Sequence, residues 1–179
     1  MQWLDLAFLI ILILVAIPMI KGFVFGAPYV PTPKRAANRM LSLANIKSGE
    51  KVMDPGCGDG RLVIEAAKRY GAQAIGYELF MLVYLVAKLK NLLSGSKAKI
   101  KFSDSRKADL SDIDVIVCYM LPGPLRKFCQ KWSQELKPGT RVVSYAFEIG
   151  DWKPVYVQPK CDNLGLARIL VYEIGKSDL

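Results

Sequence analysis

The stretch Lys51-Val52-Met53-Asp54-Pro55-Gly56-Cys57-Gly58-Asp59-Gly60-Arg61 decides how this chain is read. A short apolar segment runs into three glycines at alternate positions, and a helical pattern opens at Arg61. Strand, tight loop and helix in that order leave the first helix amides facing the loop, where a ligand can meet them. The same alternation continues outward in both directions. Lys34 to Ala44 predicts a helix opened by the Pro31-Thr32-Pro33 turn, Lys51 to Asp54 a first strand, Arg61 to Tyr70 a helix and Ala74 to Glu78 a second strand. Leu79 to Leu93 predicts a helix, Lys99 to Ser103 a third strand, and Val115 to Tyr119 a fourth with the continuous apolar run of a buried parallel strand. Leu125 to Leu136 is a further helix and Arg141 to Phe147 a fifth strand, while Val155 to Gln158 and Ala167 to Ile174 form a closing antiparallel hairpin. The fold class is therefore α/β, with a seven-stranded, mostly parallel sheet. Parallel crossovers usually need a dozen or more residues. The gap from Asp104 to Val115 is too short for a full helix and Glu148 to Trp152 leaves only a turn, so the helices are trimmed there and one sheet face is thinly covered.

Open α/β sheets bind ligands at the carboxyl ends of their central strands. A dinucleotide fingerprint needs Gly-x-Gly-x-x-Gly, but the sixth position counted from Gly56 is Arg61, which disfavours NAD. Asp54, opening the loop, would repel a pyrophosphate and suits a ligand carrying a sulfonium and an α-ammonium group, as S-adenosylmethionine does. Glu78 closes the second strand, placed for bidentate hydrogen bonds to ribose hydroxyls, and Asp104 follows the third, placed for an adenine amino group.

The chain resembles the class I, Rossmann-like S-adenosylmethionine-dependent methyltransferases. Within them it is similar to the lysine methyltransferases of the mitochondrial adenine nucleotide translocase and the ATP synthase c-subunit and their prokaryotic relatives. The resemblance rests on Tyr29-Val30-Pro31-Thr32, Asp54 to Arg61, Gly76-Tyr77-Glu78-Leu79, Tyr119-Met120-Leu121-Pro122, Glu135 to Ser144 and Gly150-Asp151-Trp152-Lys153-Pro154, and spans Tyr29 to about Pro159. It implies lysine N-methylation of a membrane protein. It also implies that Asp54, Gly56, Gly58 and Gly60 shape the methionine pocket, that Glu78 with Leu79 holds the ribose, that Asp104 with Ser105 meets the adenine, and that Tyr29 and Pro31 form a lid. Three departures stand out: Pro55 replaces an aliphatic residue, Phe80 takes a place where Asn is common, and Ser105-Arg106 replaces an aromatic pair.

No histidine is present among 179 residues, which excludes Ser/His/Asp and Cys/His nucleophile pairs and every His-containing metal site. The four cysteines form no Cys-x-x-Cys pair and fit a reducing compartment, and no metal site is expected. With no imidazole and the nearby acids committed to cofactor, no general base is assigned. Tyr119, ending the fourth strand, and Tyr29 are the candidates to line an acceptor pocket by hydrogen bonding or cation–π contact.

Residues 1 to 28 read separately from the domain that occupies 29 to 179. Leu6 to Phe25 supplies about the 20 apolar residues that cross a hydrocarbon core, with Lys21 at its edge and Pro18 inside it. Asp5 before the run and Gly26-Ala27-Pro28 after it fit an uncleaved transmembrane anchor better than a signal peptide. Lys21, Lys34, Arg35 and Arg39 then place the domain on the cytoplasmic side of a membrane, or on the matrix side if mitochondrial.

The formal charge is +9, with Lys88, Lys90, Lys97, Lys99, Lys101, Arg106 and Lys107 packed into twenty residues. Such a run is a solvated face or one held against anionic lipid. Aromatic residues do not interleave with it, so no nucleic-acid partner is expected. The favoured reading is a protein-lysine methyltransferase acting on a membrane protein. Two alternatives stay open: a methyltransferase of a lipid or small hydrophobic acceptor such as a quinone, and a non-catalytic cofactor-binding sensor.

Overall fold

The computed structural model describes residues 3, 5–10 and 30–177. The chain divides into two compact units, Met1–Val30 and Pro31–Leu179. In the first unit the described residues 3 and 5–10 are helical. Among the described residues no helix is long and apolar enough to cross a membrane. This corrects the expected N-terminal transmembrane helix and, with it, the single-pass membrane placement. Residues 11–29, on which most of the expected span and Tyr29 fall, lie outside the described residues.

The described residues of the second unit form four α-helices and seven strands: α1 (Lys34–Leu43), β1 (Lys51–Asp54), α2 (Arg61–Tyr70), β2 (Gln73–Glu78), α3 (Met81–Ser94), β3 (Lys99–Phe102), β4 (Val115–Cys118), α4 (Pro122–Glu135), β5 (Arg141–Tyr145), β6 (Tyr156–Gln158) and β7 (Ile169–Glu173). They form one mixed sheet in the order β3-β2-β1-β4-β5-β7-β6. The five strands β1 to β5 pair in parallel, while β7 runs antiparallel to both β5 and β6. Because β1 connects outward to β2 and the chain then returns to β4 on its other side, the topology switches between β1 and β4, which opens a crevice at their carboxyl ends.

Two cores flank the sheet. On one face Met40 and Leu41 of α1, Leu62, Val63 and Ala66 of α2 and Ala87 of α3 pack against Val52, Ile100, Val117 and Val143. On the other face α4 buries Leu125, Phe128 and Trp132 against Met53, Ile116 and Val142. The expected trimming is present. Between β3 and β4 stands only a single 3-10 turn, Ser105–Lys107, with Leu110 and Ile113 plugging the core in place of a helix, and no helix lies between β5 and β6. Among α3 residues only Ala87 is buried, and Leu82, Leu85, Leu89 and Leu92 are exposed.

Local chemistry moved several boundaries. The expected helix from Leu79 begins at Met81, because the Glu78 carboxylate accepts the amides of Leu79 (2.7 Å) and Phe80 (2.8 Å) and holds the chain extended for two residues. Pro122 starts α4 three residues early, since proline is pre-set for the first helical turn. β5 ends at Tyr145, because Ala146 takes a left-handed φ of 70°.

Candidate functional site

The glycine loop is folded by its own polar groups. Gly56 N–H donates to Asp54 Oδ1 at 3.1 Å and Gly60 N–H to the Cys57 carbonyl at 2.8 Å. Gly60, at φ 80°, caps α2 in the left-handed region where a side chain costs energy. The loop lies hard against β2: Cys57 N–H bonds the Tyr77 carbonyl at 2.8 Å, and a Cβ on Gly76 would stand 2.7 Å from both Cβ and Sγ of Cys57. Glycine at 76 is therefore a packing requirement of the loop above it.

Three carboxylates converge here, and their surroundings treat them differently. Asp59 is 2% exposed and doubly paired: Arg61 donates from Nε (2.9 Å) and Nη2 (2.7 Å), and Lys90 Nζ approaches to 2.5 Å. Burial opposes its ionisation, but these two cations prevail and hold its carboxyl well below the usual range. Asp54, also 2% exposed, has no cationic partner among the described residues. Burial, with Glu78 and Asp59 as like charges, pushes its carboxyl up to about 7 against the single opposing amide of Gly56. Glu78, 8% exposed, is likewise raised by burial, while accepting N–H from Gly58 (3.0 Å), Leu79 and Phe80. A carboxylate offers about four acceptor positions. Three are filled, which leaves Glu78 room for one further direct hydrogen bond. Burial also pushes the thiols of Cys57 and Cys118 up, which leaves both as unreactive thiols at neutral pH.

Asp54, Gly56, Gly58, Gly60 and Glu78 thus meet at the carboxyl ends of β1 and β2. The turn after β3 joins them, because the buried Ser105 hydroxyl donates to the Pro55 carbonyl at 2.8 Å. Asp104 stands on the same rim but is engaged: Arg106 donates from Nε (3.0 Å to each oxygen) and Nη2 (2.6 Å), and this guanidinium holds the carboxyl below its ordinary value. Leu79 contributes a bonded amide and an exposed side chain. Pro31 is exposed and precedes the buried Thr32, whose carbonyl accepts from Arg61 Nη1. Tyr119 follows β4, with its ring edge-on to Tyr145 (centroids 5.0 Å) and stacked on Phe147 (6.3 Å, 9° between planes). Sequence reasoning missed Tyr145, Phe147 and the Arg61 link to Thr32. The only forward signal for the last was an arginine directly after the glycines.

Buried carboxylates without a counter-cation among the described residues, here Asp54 and Glu78, are complementary to a cationic ligand, which fits a sulfonium and α-ammonium and does not fit a pyrophosphate. With the mixed seven-stranded sheet, this defines a class I S-adenosylmethionine-dependent methyltransferase.

The ANTKMT methyltransferase domain family matches residues 54–156. A protein-lysine N-methyltransferase of Saccharolobus islandicus is 36% identical, over 87% of this chain and 98% of its own length. The adenine nucleotide translocase lysine N-methyltransferase of Mus musculus is 32% identical over 84% of this chain, which spans 64% of that relative. Among solved structures, an RNA methyltransferase of Salinibacter ruber in complex with S-adenosyl-L-homocysteine superposes with a TM-score of 0.76 at 33% identity, covering 81% of this chain and 94% of that one. The chain belongs to the ANTKMT family of S-adenosylmethionine-dependent protein-lysine methyltransferases.

Proposed function

We propose that this chain methylates the ε-amine of a lysine in a membrane protein, with the cofactor held by Asp54, the glycine loop and Glu78. The observation carrying this reading is the pair of buried carboxylates, Asp54 and Glu78, that lack a cation among the described residues and stand beside the glycine loop. When bound, the cofactor supplies an electrophilic methyl group that passes in line to the amine nitrogen, while the electron pair of the breaking C–S bond stays on sulfur. Asp54 favours the ligand's positive charge, Glu78 accepts one ribose hydroxyl, and the turn of Asp104 and Ser105 borders the adenine. Pro31, tied to the loop through Thr32 and Arg61, covers the cofactor. Positioning supplies most of the rate in such a displacement. The rings of Tyr119, Tyr145 and Phe147 form an apolar wall beside β4 and β5 that desolvates the incoming amine, lowers its pKa and favours the neutral nucleophile.

Membrane-protein substrates are supported by the names of two relatives. One is the adenine nucleotide translocase enzyme, and the other is the ATP synthase c-subunit lysine N-methyltransferase of Homo sapiens, which is 30% identical over 73% of this chain. The test is transfer from methyl-labelled S-adenosylmethionine into membranes, followed by separation of protein, lipid and RNA. Label recovered as methyl-lysine supports the reading. Label confined to lipid or RNA, or calorimetric binding of NAD without S-adenosylmethionine, overturns it.

A further inference from the structure

Where the crossover helix between β3 and β4 is missing, the sheet face over β2 and β3 forms a groove of about 1080 Å³. Six lysines line it: Lys51, Lys68, Lys97, Lys99, Lys101 and Lys107. Two acids share the lining, and both are engaged, Asp112 with Lys51 and Asp109 with the Ser111 amide. Lys68, Lys97, Lys99 and Lys107 form no ion pair among the described residues, and Lys101 lies 5.6 Å over the ring of Tyr77. From Leu79 to Ser103 the chain carries no acid at all. Ile75, Tyr77 and Ile113 give the groove an apolar floor. One end lies at Lys51 and Gln73. The other reaches Ser103 and Lys107, in the turn whose Ser105 bonds the glycine loop.

We propose that this groove docks an acidic, extended segment of the protein substrate, a proposal that rests on the protein-lysine reading above. Uncompensated lysines facing a channel floored by apolar side chains are complementary to a polypeptide carrying carboxylates. A single-stranded nucleic acid is the poorer fit, since the one ring in the groove, Tyr77, is 7% exposed and capped by Lys101, leaving no stacking platform, and no arginine lines the walls. β3 and β4 are three strand spacings apart, about 15 Å. The acidic segment therefore lies roughly five extended residues or more from the methylated lysine. Its engagement raises the effective concentration of that lysine at the site without touching the reacting atoms.

The test uses the full chain and a fluorescent peptide with one lysine, an eight-residue neutral spacer and six glutamates, beside the same peptide with six glutamines. Expected is binding of the glutamate peptide at least tenfold tighter, abolished in the triple variant Lys68→Glu, Lys97→Glu, Lys99→Glu, while calorimetric affinity for S-adenosylmethionine stays unchanged. A milder triple Lys→Gln variant repeats the measurement should charge reversal impair folding. Equal binding of the two peptides, unchanged binding by both variants, or tighter lysine-dependent binding of oligouridylate or of anionic vesicles overturns the proposal. Methyl transfer is read separately. Docking without methyl-lysine formation sinks the lysine reading and leaves the groove, whereas methylation indifferent to the glutamates sinks the groove alone.

Discussion

Arg61 donates two parallel hydrogen bonds to the carboxylate of Asp59, at 2.9 and 2.7 Å, and so ties the first residue of α2 to the loop that precedes it. The third arm of the same guanidinium reaches the Thr32 carbonyl, which fastens the Pro31-Thr32-Pro33 segment to the glycine loop. Replacing Arg61 by Met leaves Asp59 buried with Lys90 alone. We expect a stability loss of about 3 kcal/mol at pH 7 by chemical denaturation, in the range for breaking a buried pair. The carboxyl of Asp59 is lowered on folding, so its stabilisation is present above the unfolded value near 4 and is lost as pH falls through the folded one. The deficit of the variant therefore shrinks at strongly acidic pH. A deficit that is constant down to pH 2 would contradict the electrostatic account.

Asp54 has the opposite sign. Its carboxyl titrates at about 7 in the folded chain, well above the unfolded value, so ionising it costs stability as pH rises from about 4 to 7. A bound cation favours the ionised form. Affinity for S-adenosylmethionine is expected to rise with pH, by up to tenfold per unit below pH 7, and to level off above 8. Asp54→Asn should flatten that profile and weaken binding, yet stabilise the cofactor-free chain at pH 8 by up to about 4 kcal/mol. Calorimetry across pH 5.5 to 8.5, with thermal melts of both proteins, checks the three statements together.

Arg106 occupies the carboxylate that the adenine reading assigns to the cofactor. Its side chain is more than half exposed, so removing it changes stability by less than about 1 kcal/mol. Arg106→Ala frees Oδ2 of Asp104, while Oδ1 keeps the residue-106 amide at 2.9 Å, and is expected to tighten cofactor binding several-fold. Weaker binding in that variant would show that the guanidinium, not the carboxylate, faces the adenine.

How far the sequence reached follows from how local each signal was. The loop from Asp54 to Gly60 and the strand-end acids Glu78 and Asp104 were legible because each is written in a run of a few residues. The missing crossover between β3 and β4 was legible by counting. The delayed start of α3 was not, because it depends on the Glu78 carboxylate competing for amides that a helix would leave free. The Arg61 bond to Thr32 spans 29 positions, and the aromatic wall joins Tyr119 to Tyr145 at the end of β5 and to Phe147 just beyond it. Contacts of that kind appear only once the sheet order is fixed. The membrane anchor rests on hydropathy and on the residues flanking the apolar run, and no helix of the described residues supports it.

Ala146 is the residue by which the acceptor wall can be examined. It holds φ 70° between Tyr145 and Phe147, which both pack on Tyr119, and it is kept there by Arg168: its N–H donates to the Arg168 carbonyl at 2.9 Å and its carbonyl accepts from Arg168 Nε at 3.1 Å. An alanine in this region costs about 1 kcal/mol relative to glycine. Ala146→Gly should then raise stability by up to about 1 kcal/mol in the folded state, offset in part by the freer unfolded chain. The same change loosens the Tyr145-to-Phe147 step, so methyl transfer is expected to fall several-fold in kcat with cofactor affinity unchanged. Tyr119→Phe keeps both ring contacts and should retain most of the activity, whereas Tyr119→Ala removes the central ring and should lose at least about tenfold. Stability measured by denaturation and single-turnover methylation separate the two effects. A Tyr119→Phe variant as inactive as Tyr119→Ala would move the burden from the ring face to the hydroxyl, and a fully active Ala146→Gly variant would show that the left-handed residue serves the strand end rather than the acceptor.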